Sequence, residues 1–155
     1  MLSYIEEAAI DDVSMELLLL ADPSEERIRS YIKRSRCFVI YADNNAVGAC
    51  IVQALGMNLY EIMNIAVQSA WQRRGYGTAL LKWVVEFLKK SGACRIEVGT
   101  GAFGYQLAFY QKHGFRVTAI DRDFFVDNYP DPIVENGIRH LDLLRLTLRL
   151  PVVFY

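Results

Sequence analysis

The sequence has no apolar run that approaches the ~20 residues needed to span a bilayer; stretches such as residues 17–21 are a fraction of that length. Its opening, MLSYIEEAAIDD, is acidic and lacks the basic-then-apolar order of a secretory leader, so the expected location is the cytoplasm. Cysteine is sparse: Cys37, Cys50 and Cys94 are an odd number, without C-x-x-C spacing and without histidine at metal-ligand spacing. No metal site or disulfide frame is expected, and the thiols are read as reduced and buried. A surplus of either charge is also missing. The formal net charge is -1 and the basic residues are scattered, so nucleic acid and anionic membrane have no electrostatic reason to bind. Internal repeats, linkers and low-complexity stretches are absent. What remains is 155 residues, 53% hydrophobic and 23% charged, expected to fold as one domain over residues 1–155.

The stretch EIMNIAVQSAWQRRGYGTALLKWVVEFLKK, residues 61–90, organises the rest. An apolar strand ending at Val67 leads through a polar turn into Gln72, Arg73, Arg74, Gly75, Tyr76, Gly77 and Thr78, which open a helix reaching about Lys90. The first amides of a helix have no internal partner and the helix dipole favours negative charge there, so a glycine turn at this point is an anion site. Gly75 and Gly77 let the backbone approach a ligand, and Arg73 and Arg74 add positive charge. A phosphate or pyrophosphate is the natural occupant.

A nucleotide P-loop would carry G-x-x-x-x-G-K-[ST], and no lysine follows either glycine. The sequence instead resembles the GNAT family of acyl-CoA-dependent N-acetyltransferases, whose signature [QR]-x-x-G-x-[GA] is met by residues 72–77. Ile65, Ala66 and Val67 before it resemble the family's fourth strand, and FYQKHGF at 109–115 resembles its Y-x-x-x-G-F landmark. The resemblance covers roughly residues 3–150. It implies a single α/β (α+β) domain with a mixed, mostly antiparallel six- or seven-stranded sheet, about four flanking helices and a splay between strands four and five. It implies acetyl-CoA as acyl-donor cosubstrate and an amine as acceptor. Residues 72–78 would hold the pyrophosphate, and the backbone of Ile65, Ala66 and Val67 the pantetheine arm. Tyr110, four residues before Gly114, would protonate the departing thiolate. The family's asparagine seven residues before that tyrosine is replaced by Phe103; either Gln106 or Thr100 makes the corresponding contact with CoA, or that contact is absent.

Glu61 is the candidate general base. An acid within the apolar strand LYEIMNIAV carries a desolvation cost unless it has a partner or a task, and burial raises a carboxyl pKa toward the range that suits proton abstraction. Its position also resembles that of the catalytic glutamate in the histone-acetylating branch, with Asn64 placed to hold a bridging water; a solvent-facing acid is the other reading. His113, at a helix C-terminus, is read as serving the last carbonyls. Cys94 has no histidine beside it in sequence and is not read as an acyl carrier.

Two rival functions stand beside the enzyme. One is a sensor that binds acyl-CoA without turnover. The other is an NAD-dependent oxidoreductase, since Gly99-Thr100-Gly101-Ala102-Phe103-Gly104 spells G-x-G-x-x-G with Asp121 and Asp123 downstream. Against it, the following helix, about Tyr105 to Lys112, is too short for a crossover. Residues 121–137 are acidic and aromatic, and the acids would attract a cationic amine.

Local signals complete the expectation. Asp11 and Asp12 cap a helix to about Leu20; Asp22 caps a second, with Pro23 first and Glu25 third, ending near Ser35. Residues 37–41 and 46–52 flank the turn Asp43-Asn44-Asn45, and residues 59–67 complete a meander. Residues 138–150 alternate as one closing strand, and the tail 151–155 offers a further strand or a contact in a monomer or homodimer.

Overall fold

A computed structural model describes residues 2–151. The tail expected to add a strand or contact lies, from residue 152 on, outside the described residues. The chain divides into two compact units, the first ending at Ala93 and the second beginning at Cys94.

In the first unit, strands β1 (Ser3–Ala8), β2 (Arg36–Ala42), β3 (Asn45–Gly56) and β4 (Leu59–Val67) pair antiparallel in sequence order. The β2–β3 hairpin turns on Asp43 and Asn44, both at positive φ (50° and 66°), the conformation a tight two-residue hairpin requires and Asp and Asn tolerate. Helices α1 (Met15–Leu19) and α2 (Glu25–Ile32) supply Leu17, Leu18, Ile28, Tyr31 and Ile32 to a cluster with Cys37, Val39, Ala49, Ile51 and Ala66. Both helices start later than Asp11 and Asp22 predict. A hydroxyl wins each cap: Ser14 accepts from the Leu17 amide and Ser24 from the Arg27 amide, while Ile10–Asp12 forms only a 3-10 turn. Asp22 instead accepts from the Ser24 amide and the Tyr31 hydroxyl.

Helix α3 (Tyr76–Lys90) buries Leu80, Leu81, Val84 and Leu88 completely and leaves Lys82, Glu86, Lys89 and Lys90 exposed. Each buried leucine or valine is worth about 1.5–3 kcal/mol. Phe38 packs against Trp83 and Phe87 at ring separations of 5.7 and 5.1 Å. Ser91 and Gly92 (φ 96°) end the helix, as expected.

In the second unit, β5 (Arg95–Gly101), β6 (Arg116–Asp121) and β9 (Leu143–Arg149) form antiparallel pairs with β9 central. Helix α4 (Tyr105–Lys112) follows β5. Between β6 and β9 stand a short helix α5 (Phe124–Asn128) and a hairpin of β7 (Val134–Glu135) and β8 (Ile138–Arg139). Residues 138–150 are therefore two strands and not one. The alternation is broken at His140, whose ring turns inward to Glu135 at 2.9 Å and whose amide donates to Ile133 O at 2.8 Å. Among the described residues the class is the expected mixed, mostly antiparallel α/β with seven sheet strands, and α5 brings the α-helices to five.

Candidate active site

Gln68 anchors the end of β4, its amide and side chain donating to Val47 O and Ala46 O at 2.8 and 2.6 Å. After the 3-10 turn Ser69–Trp71, the Gln72 side chain donates to Val67 O at 2.9 Å, so it braces the loop against β4. Arg73 and Gly75 then adopt left-handed backbone, φ 63° and 86°. A left-handed non-glycine residue costs about 1–2 kcal/mol, and turns of this kind gather successive N–H groups into an anion-binding concavity. Helix α3 begins here without a capping side chain and without an acid in its first turn. No side chain caps this turn in the way that Ser14 and Ser24 cap α1 and α2, and Tyr76, Gly77 and Thr78 form it. Arg74 and Arg73 are exposed, and the Arg74 guanidinium lies over the Trp71 ring at 5.2 Å. Trp71 also meets Tyr76 edge-on at 5.8 Å. Nothing in the sequence motif marks Trp71, yet it ties one arginine of the loop to the helix start.

Along β4, Ile62, Asn64 and Ala66 are buried, whereas Glu61, Met63, Ile65 and Val67 are half-buried. Glu61 therefore has both protein and solvent around it. Opposite Asn64 stands Ile51, and opposite Ile62 stands Val52, so the register slips at Met63.

In the second unit, Tyr110 is 4% exposed on α4, edge-on to Phe109 and Phe115 at 5.3 and 5.5 Å. The turn after α4 is set by Gly114 (φ 92°), with Gly114 N–H on Gln111 O and Phe115 N–H on Tyr110 O, both 3.1 Å. This explains the glycine of the Y-x-x-x-G-F landmark. His113 Nδ1–H donates to Phe109 O at 2.8 Å, the carbonyl-satisfying role expected of it. Gln106 is exposed on the first turn of α4, and the Thr100 hydroxyl is engaged with Gly101 O at 2.7 Å. Phe103, which replaces the family asparagine, stacks on His140 at 4.1 Å and 5°.

The G-x-G-x-x-G spelling has a different cause from nucleotide binding. Gly99 and Gly101 lie within β5 and not in a turn. A Cβ on Gly99 would strike Leu143, on Gly101 the His140 ring, and on Gly104 the Glu135 carboxylate. The side-chain space of each of these glycines is filled by the chain's own side chains, which gives a packing reason for glycine at all three positions.

Cys37 and Cys50 are buried and Cys94 is exposed. Burial pushes the Cys37 thiol up to about 12 and moves Cys50 further in the same direction, so both stay protonated and unreactive near neutral pH. Among the described residues no group of three or more His, Cys, Asp or Glu could hold a metal ion, and no helix is long and apolar enough to cross a membrane.

Residues 33–117 match the acetyltransferase (GNAT) domain family. The chain is 42% identical over 141 residues to the N-acetyltransferase YvbK of Bacillus subtilis (strain 168), covering 90% of this chain and 91% of that protein. Among solved structures, an IAA acetyltransferase from Bacillus cereus ATCC 14579 is similar at TM-score 0.90 and 40% identity, covering 96% of this chain and 99% of that one. A GNAT family acetyltransferase from Elizabethkingia anophelis with acetyl-CoA bound is similar at TM-score 0.90 and 38% identity, covering 96% and 98%. The chain belongs to the GNAT acetyltransferase family, and so to the acetyl-CoA-dependent acyltransferases.

Proposed function

We propose that this chain moves the acetyl group of acetyl-CoA directly to a primary amine of a small molecule or peptide within a ternary complex, residues 1–155 serving as one catalytic domain. The observation that carries this reading is the start of α3, an uncapped helix N-terminus preceded by left-handed Arg73 and Gly75. Its amides suit the pyrophosphate of CoA, with Arg73 and Arg74 neutralising its charge. In the same reading, backbone groups of Ile65, Ala66 and Val67 pair with the pantetheine arm, Gln106 contributes at α4, and Gln72 acts through its hold on Val67.

Chemistry then asks for a base and an acid. Glu61 takes the ammonium proton, and the neutral amine attacks the thioester carbonyl. As the tetrahedral intermediate collapses, the C–S bond breaks, the Tyr110 hydroxyl gives its proton to the sulfur, and the acylated nitrogen gives up its remaining extra proton, which restores the phenol. Asp123 and Asp127, both exposed on the segment between β6 and β9, favour a cationic acceptor by local attraction. Asp121 and Glu135 do this less, because Arg145 and His140 already face them.

The test is release of free thiol from acetyl-CoA across a panel of primary amines, polyamines and lysine peptides. An acetyltransferase gives amine-dependent release and an acetylated product by mass. A protein that binds acetyl-CoA but releases no thiol with any amine would be a sensor.

A further inference from the structure

The loop that joins β5 to α4 is held at three points by the β7–β8 hairpin and the residue that follows it. His140, 7% exposed, lies flat on Phe103, with ring centroids 4.1 Å apart and planes 5° from parallel, and its ring fills the space where a Gly101 side chain would stand. The Glu135 carboxylate fills the corresponding space at Gly104, the N-cap of α4. A carboxylate only accepts, so at 2.9 Å it is His140 Nε2 that bears the hydrogen and donates to Glu135. Helix α4 has no side-chain cap of its own and no acid in its first turn, so Glu135, arriving from another strand, supplies the negative charge that a helix N-terminus favours.

Packing alone does not ask for histidine here. With Nε2–H given to Glu135, Nδ1 is left buried without a hydrogen-bond partner among the described residues. A phenyl ring at position 140 is of similar size; it would keep the stack on Phe103 and the 5.4 Å contact with Phe125, and would leave no polar atom unsatisfied. What histidine adds is the hold on Glu135, and what that hold fixes is the start of α4. Tyr110 is the sixth residue of this helix, about 7.5 Å along its axis from Tyr105. A helix of two turns moves as one piece, so a shift at Gly104 reaches Tyr110.

We propose that Glu135 and His140 are positioning residues for proton transfer from Tyr110: as a hydrogen-bonded pair they pin the N-terminus of α4 and so set where the phenol stands. Both act through the helix and give no proton themselves. An offset of about 1 Å in a reacting group can cost about 100-fold in rate, so a modest loosening of the helix start is enough to be read in kcat. The inference rests on the reading of Tyr110 as the acid that protonates the leaving sulfur.

The experiment is steady-state thiol release by Glu135→Ala, Glu135→Gln and His140→Phe, and by Glu135→Ala combined with Tyr110→Phe, with the amine that gives the fastest release in the panel above. Glu135→Ala and His140→Phe should lose kcat by roughly ten-fold or more, with the KM for acetyl-CoA within about three-fold of wild type. Glu135→Gln, whose amide oxygen still accepts from His140 Nε2–H, should recover kcat to within about three-fold of wild type. In the Tyr110→Phe background, Glu135→Ala should lower kcat no further, because the group it positions is gone. Glu135 is half-buried on a two-residue strand, so its two variants decide the matter even where His140→Phe fails to fold. An unchanged kcat in Glu135→Ala, an equal loss with and without the Tyr110 hydroxyl, or no recovery in Glu135→Gln overturns the inference and leaves Tyr110 as the acid. An unaltered kcat in Tyr110→Phe overturns that reading and the inference together, and a wild-type protein that releases no thiol with any amine overturns the acetyltransferase reading as well.

Discussion

Replacing Gly75 with valine is expected to raise the KM for acetyl-CoA at least ten-fold while the chain still folds. Gly75 sits at φ 86°, and the point where its Cβ would be has nothing within 4 Å, so the substitution meets a backbone penalty and no collision. For a β-branched residue that conformation costs about 1–2 kcal/mol or more. The loop can escape the cost by turning Gly75 out of the left-handed region, which rotates the amides proposed to face the phosphates at the start of α3. A loss of about 1.4 kcal/mol in binding is already ten-fold. Gly137 is the natural control, since it too has positive φ (77°) and open space around its Cβ, but it lies in the β7–β8 turn. Gly137→Val should therefore cost similar backbone energy and leave the acetyl-CoA KM where it was. Equal KM values for Gly75→Val and wild type, with the helix content intact by circular dichroism, would remove the loop from CoA binding.

Tyr110→Phe is expected to lower kcat about 100-fold or more and to leave the acetyl-CoA KM within a few-fold of wild type. The ring keeps its edge-on contacts with Phe109 and Phe115, so the packing survives. Losing a buried hydroxyl costs stability of about 1 kcal/mol, small beside the kinetic effect. Steady-state rates at saturating amine, with the melting temperature measured alongside, separate the two. A variant of unaltered kcat would return Tyr110 to the role of a core aromatic.

The parts of this chain that were legible from sequence are those in which local chemistry and fold agree. The helix Tyr76–Lys90 was readable from its glycine start, its narrow stripe of Lys82, Glu86, Lys89 and Lys90, and the Ser91-Gly92 stop. The length of α4 was likewise set by Gly114, whose left-handed backbone ends it. Capping was less legible, because Asp11, Asp12 and Asp22 are as good on paper as Ser14 and Ser24, and tertiary demand decided: Asp22 is drawn to the Tyr31 hydroxyl. The segment between β6 and β9 was unreadable for a similar reason. Its organising pair, Glu135 and His140, is brought together by a two-residue hairpin pairing too short to leave a periodic pattern, and the inward turn of His140 splits what reads as one strand. The glycines at 99, 101 and 104 misled in the opposite way. They match a nucleotide motif in letters, but each is small because Leu143, His140 or Glu135 occupies its side-chain space. Within the candidate site, the turn at Gly75 and the helix start that follows it were legible. The slip at Met63 was not, since a strand's register depends on its neighbour and not on its own sequence.

The central claim is that the start of α3 holds the phosphates of CoA, and the direct measurement is the melting temperature of the chain with acetyl-CoA, CoA or NADH. A ligand bound only by the native state at 100 times its Kd adds about 2.7 kcal/mol, and for a chain of this size that corresponds to a rise of roughly 5–10 °C. The account predicts that rise with acetyl-CoA and with CoA, and none with NADH. Stabilisation by NADH alone would contradict it and return the cofactor site to residues 99–104.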